Sequence, residues 1–316
     1  MAQRTKSPAI TVSLLREGII ESVHQVQAVV CDSRGRVLSV AGDAQHPTFI
    51  RSALKPFQAI SVTSNGVLER YQLTDRDLAV MCSSHAAEII HTRQVFNILW
   101  RADIDTNALQ CPTPVGKTSP LEHNCSGKHA GMLAVCRAHN WPLANYLERT
   151  HPLQKLILSK FAEILKMPPD EFIGVHDDCG APVYLMPIAQ MATLYAYLAS
   201  GESLDLERIV RAMTHHPELI AGTEGKFDTQ LMQLTQGELV SKAGAEGIQC
   251  IGKVGEGMGL TIKVSDGSKR AKYAVAIELL HQMGWITPAV SEILTDQFLS
   301  IGTHTRLEVT GELAMV

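Results

Sequence analysis

Apolar and polar residues alternate through Ile10-Thr11-Val12-Ser13-Leu14, the period of a strand with one buried face. Arg16-Glu17-Gly18 predicts a turn. Strands at Ile19–Val23, Val26–Cys31 and Val37–Ala41 follow, the last two flanking the turn Asp32-Ser33-Arg34-Gly35. An antiparallel meander is the expected product. From Ser52 to about Ile220 the spacing becomes helical. Asp75-Arg76-Asp77 opens a short helix, and further helices are expected over Ala86–Ala102, Lys128–His139, Pro142–Glu148, Pro152–Leu165 and Pro187–Ala199. After residue 235 strands return at Glu238–Lys242, Gly247–Lys253 and Leu260–Val264. A helix over Lys269–Met283 follows, and Leu307–Val309 with Glu312–Met315 predict a closing strand pair. There is no internal repeat, low-complexity tract or long linker. The expected fold class is α+β. Strands from both ends (about 1–51 and 235–316) join in one antiparallel sheet, with a helical middle lobe (about 52–234), in a single domain over 1–316.

Composition narrows the chemistry. With 316 residues, 45% of them hydrophobic, the chain can bury one large core or two modest ones. A net charge of −4 leaves no electrostatic footprint for nucleic acid or an anionic membrane. Apolar runs fall short of the ~18–20 residues a membrane span needs. Met1–Pro8 lacks the layout of a secretory signal. Seven scattered cysteines, an odd number, point to reduced thiols and a cytoplasmic location. An aromatic fraction of 5% disfavours a base-stacking or carbohydrate-stacking surface.

Five segments can carry chemistry. In Arg51-Ser52-Ala53-Leu54-Lys55-Pro56 a serine precedes a lysine by three positions, neighbours on one helix face. Pro56 is tolerated only in a first helical turn, so the helix starts near Ser52, whose hydroxyl then lies at the positive end of the helix dipole. A desolvated lysine can deprotonate such a serine; an ordinary serine cap is the competing explanation. Cys82-Ser83-Ser84-His85 follows an apolar run, where side chains are displayed at an element end, and equally suits a helix cap. Ser241-Lys242-Ala243-Gly244-Ala245-Glu246-Gly247 puts a lysine on a strand before small residues, much like the Lys-Thr-Gly element that accompanies Ser-x-x-Lys in penicillin-recognising enzymes. The last two are Glu122-His123-Asn124-Cys125-Ser126-Gly127-Lys128-His129-Ala130-Gly131 and His176-Asp177-Asp178-Cys179-Gly180-Ala181-Pro182. They pack thiols among ionisable residues. Their spacing matches no zinc-finger layout, so spacing alone disfavours a metal. A Cys125 or Cys179 nucleophile partnered by His129 or His176 is a further option, and turn-forming loops with buried thiols are the plain one.

Taken in order, these segments resemble the asparaginase II family typified by rhizobial inducible asparaginases. The resemblance runs from about Pro8 to Ala274 and also takes in Lys263-Val-Ser-Asp-Gly267. It implies a serine β-lactamase/glutaminase-like fold, hydrolysis of L-asparagine to L-aspartate and ammonia, and a homodimer. By matching position it implies two Ser–Lys pairs, Ser52 with Lys55 and Ser84 with Lys242, with Lys263 the other candidate partner of Ser84. It also implies a zinc ion held by Cys125, Lys128 and Cys179, with Asp177 close by. Arg51, His85 and Asp177 are the substrate-binding candidates, Asp177 for the α-ammonium. Lys226 and Phe227 stand where the family pattern favours an arginine and a small residue, which puts one substrate-carboxylate contact in doubt. Two alternatives stand beside asparagine hydrolysis: a glutaminase, since one methylene gives only ~1–3 kcal/mol of discrimination, and a penicillin-recognising scaffold that binds amides without hydrolysing them.

Overall fold

The computed structural model describes residues 5–316; the reading of Met1–Pro8 as lacking a signal therefore falls partly outside the described residues. From the amino end come β1 (Ile10–Arg16), β2 (Ile19–Asp32), β3 (Val37–Ala41) and the short β4 (Pro47–Phe49). The middle of the chain supplies β5 (Ile173–His176) and β6 (Pro182–Pro187). The last third supplies β7 (Leu239–Gly244), β8 (Ile248–Lys253), β9 (Met258–Val264), β10 (Thr305–Thr310) and β11 (Ala314–Met315). The helices are α1 (Lys55–Gln58), α2 (Ile60–Thr63), α3 (Val67–Arg70), α4 (Asp75–Met81), α5 (Ile89–Arg101), α6 (Ser126–His139) and α7 (Pro152–Leu165). They continue with α8 (Ile188–Leu198), α9 (Leu204–His215), α10 (Phe227–Leu234), α11 (Lys269–Gln282) and α12 (Pro288–Phe298).

The chain divides into two compact units. The sheet unit takes residues 1–53, 186–201 and 230–316; the helical unit takes 54–185 and 202–229. The α+β class is as the sequence predicts, with the sheet drawn from both ends of the chain. The segment bearing α8 belongs with the sheet although it comes from the middle of the sequence.

In the sheet unit the strand order is β10-β1-β2-β9-β8-β7, all antiparallel. β2 is one 14-residue strand rather than the two predicted. Its first half pairs with β1 and its second half with β3, so β1 and β3 lie end to end along one of its edges. That arrangement corrects the predicted closing pair. β10 pairs with β1 and β11 with β3, because two separate strands there each need an outer neighbour. α8 packs on β2, β8 and β9, and α11 against β1, β2 and β9, which is why β9 is buried along nearly its whole length. Gly252 and Gly259 face each other across β8 and β9. A Cβ at Gly259 would lie 2.1 Å from the Ala192 carbonyl oxygen, and one at Gly252 would lie 2.6 Å from that of Tyr195. The glycine pair therefore lets the backbone of α8 rest directly on the sheet.

In the helical unit α4 begins with the reciprocal cap Thr74–Asp77 and packs on α5, α6 and α9. Gly127 of α6 meets α4 backbone to backbone: a Cβ there would fall 2.0 Å from the Val80 carbonyl oxygen. The expected helix over Pro142–Glu148 is instead a run of turns. Seven residues nucleate a helix poorly, and here the Tyr146 carbonyl accepts from the Gln154 side chain at 2.8 Å while Asn145 bonds Glu148. The hairpin of β5 and β6 was not predicted, because its strands are short, with Gly174 inside β5 and a proline at each end of β6.

Candidate active site

Ser52 lies in a 3₁₀ turn, Arg51–Leu54, that runs straight into α1, with Pro56 in the first turn of α1 as required. Arg51, half-buried, takes a left-handed backbone at φ +52°, an uncommon conformation for a residue with a Cβ. The turn is tied to the sheet unit. Tyr195 of α8 donates its hydroxyl to the Ala53 carbonyl at 2.8 Å, and the Ile50 carbonyl abuts Gly244 of β7, 3.0 Å from where a Cβ would stand. Lys242, fully buried two positions earlier, is on that same face of β7 and donates to the Ala243 carbonyl at 2.8 Å. Among the described residues the Ser52 N–H and hydroxyl form no hydrogen bond. An unpaired N–H at a helix start is the donor an oxyanion needs.

Lys55 differs from expectation in its partner. The amine is buried and bonds the Ser84 hydroxyl at 3.0 Å, the Asn124 carbonyl at 3.5 Å and the Ser83 carbonyl, not Ser52. A buried lysine amine needs three polar partners, and a serine one turn back offers only one. Lys263, the other lysine expected near Ser84, donates to the Glu246 and Val264 carbonyls at 2.7 and 2.6 Å. Burial lowers the Lys263 pKa there.

Ser84 follows α4 on a stretch without regular structure. Its N–H donates to the Ile220 carbonyl at 2.8 Å, and the next N–H, of His85, donates to Asn124 at 3.2 Å. Ser83 caps the helix instead, its hydroxyl on the Val80 carbonyl at 2.6 Å. His85, expected among the substrate-binding residues, has both ring nitrogens engaged within the protein. It is buried, its Nδ1 accepts from the Ala87 N–H at 3.1 Å, and its Nε2 meets Ser126 Oγ at 2.9 Å. Burial, with the neighbouring His91 and Lys55, drops its pKa to about 3.

The two thiol segments do meet. The hairpin turn between β5 and β6 holds Asp177, Cys179 and Gly180, the last at φ +83°. Lys128 of α6 donates to Cys179 Sγ at 3.0 Å, and Cys125 and Cys179 share a hydrogen bond. Burial opposes the Lys128 charge, but the sulfurs of Cys125 and Cys179, with Asp177, outweigh it and raise the pKa to about 12. The bond from Cys179, with help from Lys55 and Lys128, pulls the Cys125 thiol well below its usual range. Neither Cys–His pair assembles. His129 places Nδ1 on the Tyr146 hydroxyl at 2.6 Å, and His176 is exposed at the end of β5. The His129–Tyr146 contact was not legible in the sequence, since Tyr146 lay in a segment read as an ordinary helix.

No group of three His, Cys, Asp or Glu among the described residues is placed to hold a metal. A site here depends on the Lys128 amine as third donor. Two thiolates and a neutral amine are N and S donors of the kind zinc takes, and the three side chains converge, so the donor set fits. No helix among the described residues is long and apolar enough to cross a membrane.

The family described as L-asparaginase II matches residues 12–315. No curated protein matches. Among solved structures, Mglu in its native form in 4.3 M NaCl is 14% identical over 83% of this chain, at a TM-score of 0.45, and the match covers 61% of the Mglu chain. A β-lactamase (Mb2281c) from Mycobacterium bovis is 12% identical over 86% of this chain and 94% of its own, at 0.38. A putative β-lactamase from Bacteroides dorei is 9% identical over 88% and 95%, at 0.39. The family match spans nearly the whole chain. The protein belongs to the L-asparaginase II family.

Proposed function

We propose that this amidohydrolase of the L-asparaginase II family converts L-asparagine and water to L-aspartate and ammonia by serine acyl transfer. The supporting observation is the bond from Lys55, three residues after Ser52, to the Ser84 hydroxyl. A neutral Lys55 has two N–H groups for the Ser83 and Asn124 carbonyls and one lone pair to receive a proton. Through the Ser84 hydroxyl it takes the Ser52 proton as that oxygen attacks the amide carbon, and the Ser52 N–H favours the tetrahedral oxyanion. The resulting ammonium passes a proton through Ser84 to the nitrogen as the C–N bond breaks, and ammonia leaves. Water then attacks the acyl-serine, giving its proton back through Lys55, and aspartate departs. In this scheme Ser84 works with Lys55, while Lys242 serves the sheet side of the serine turn.

The test is ammonia release from asparagine and from glutamine. Wild type is expected to favour asparagine, with Ser52→Ala inactive and Ser84→Ala slowed by roughly 10²–10⁴-fold, the range for losing one proton-transfer group. Full activity in both serine variants would sink the mechanism, and a higher kcat/KM for glutamine would replace the substrate.

Cys125, Lys128 and Cys179 would hold zinc, with Lys128 neutral. Bound there, the ion would supply a positive charge and an open position for a polar substrate group. Protein purified without added metal is expected to contain close to one zinc per chain, and Cys179→Ala to contain little. Equal zinc in both proteins would remove this assignment.

A further inference from the structure

Ser84 has no helix or strand to fix it, yet its hydroxyl must stay within reach of Lys55. Three residues on, Ala87, a residue with a Cβ, takes a left-handed backbone at φ +59°. That conformation costs roughly 1 kcal/mol or more and persists only where surroundings enforce it. The enforcing group is the His85 ring, which accepts the Ala87 N–H on Nδ1 at 3.1 Å. An accepting Nδ1 puts the ring proton on Nε2, which then donates to Ser126 Oγ at 2.9 Å. Ser126 in turn donates to the Leu121 carbonyl at 2.8 Å. His91 lies against the ring, centroids 5.0 Å apart and planes 9° from parallel, and is itself held by the Glu218 carbonyl at 3.0 Å.

We propose that His85, through Ser126, is a positioning residue for Ser84: a neutral Nε2–H clamp between the left-handed backbone at Ala87 and the start of α6. It handles no proton in the reaction and touches no substrate. Both of its nitrogens are occupied within the protein, and the ring is 3% exposed. The clamp also explains why a histidine stands here. Asparagine can imitate its Nδ1 acceptor and glutamine its Nε2 donor, but neither reaches both partners.

The proposal rests on the acyl-transfer reading for its kinetic arm. His85→Asn keeps the Ala87 contact and loses Ser126, and Ser126→Ala loses the same bond from the other end. Each is expected to lower kcat for asparagine by about 10–100-fold with little change in KM, because displacing an aligned group by ~1 Å costs that much. The double variant is expected to be no worse than either single one. His85→Gln, which keeps the donor and loses the Ala87 acceptor, should be impaired to a similar extent. Multiplying effects in the double variant, or unchanged kcat in both singles, overturns the clamp. A second arm needs no activity. Nitrogen NMR of the imidazole should show the proton on Nε2, and Ser126→Ala should speed hydrogen exchange at the Ser84 and His85 amides. An Nδ1–H ring or unaltered exchange refutes the proposal even if hydrolysis is confirmed. Absence of hydrolysis with the NMR results intact refutes the reaction instead.

Discussion

Lys55→Ala is expected to lower kcat by roughly 10²–10⁴-fold, the contribution of a general base, and to be rescued in part by added methylamine or ethylamine. The reason is the company the amine keeps: the Ser83 and Asn124 carbonyls and the Ser84 hydroxyl leave an alanine variant with a polar hole of the right size. A small amine can occupy that hole, satisfy the carbonyls and accept the proton. The rescued rate should rise with amine concentration and saturate, and should vary with the pKa of the amine. Removing the side chain also orphans buried carbonyls, each worth about 1–3 kcal/mol, so Tm must be followed alongside. A stable, folded Lys55→Ala protein with near wild-type kcat would dismiss the lysine as base. A loss that no amine restores would confine Lys55 to a structural part.

Acid should unfold this protein early. His85 is held neutral, with a folded pKa of about 3, because burial and then the neighbouring His91 and Lys55 disfavour its charge. Unfolded, it titrates near ~6.5. Above that pH neither state binds the proton and nothing is lost. Below it the unfolded chain takes up a proton that the folded one refuses, so stability falls until the folded ring itself protonates. At pH 5 His85 alone costs about 2 kcal/mol. His91 and His129, both buried and both depressed chiefly by burial, act in the same direction. Urea midpoints at pH 7 and pH 5 should differ markedly, with proton uptake on unfolding. His85→Asn should remove about one proton from that uptake. An identical pH slope in the variant would show that the ring is not neutral in the fold.

Much of this was legible from periodicity. The alternation of β1 and the run Pro152–Leu165 appear as expected, since each is a local pattern with one buried face. The polar pair His24-Gln25 separates two apolar runs and so divides β2 in the sequence; pairing along both edges holds it as one strand. The thiol segments were recognisable by composition, but not the hairpin that carries one of them, whose pairing spans only four residues on each side. The serine and lysine of the first motif were visible, yet their bonding was not. Lys55 and Ser84 stand 29 positions apart, and which acceptors surround a buried amine is decided by how α4 and α6 pack, not by spacing within one helix. The same applies to His85: a histidine beside a serine looks like substrate chemistry until both nitrogens are seen to be taken.

The tandem edge of β2 has a consequence for synthesis. While the ribosome is still making residues 230–304, β1 and β3 have no outer neighbours, and β9, which lines the other edge of β2, is only then emerging. The sheet can be completed only after residues 305–315 are released. The helical unit, most of it drawn from residues 54–185, is free to settle first. A nascent chain stalled before β10 therefore presents two open strand edges at once, the state in which chains stick to one another or need a chaperone.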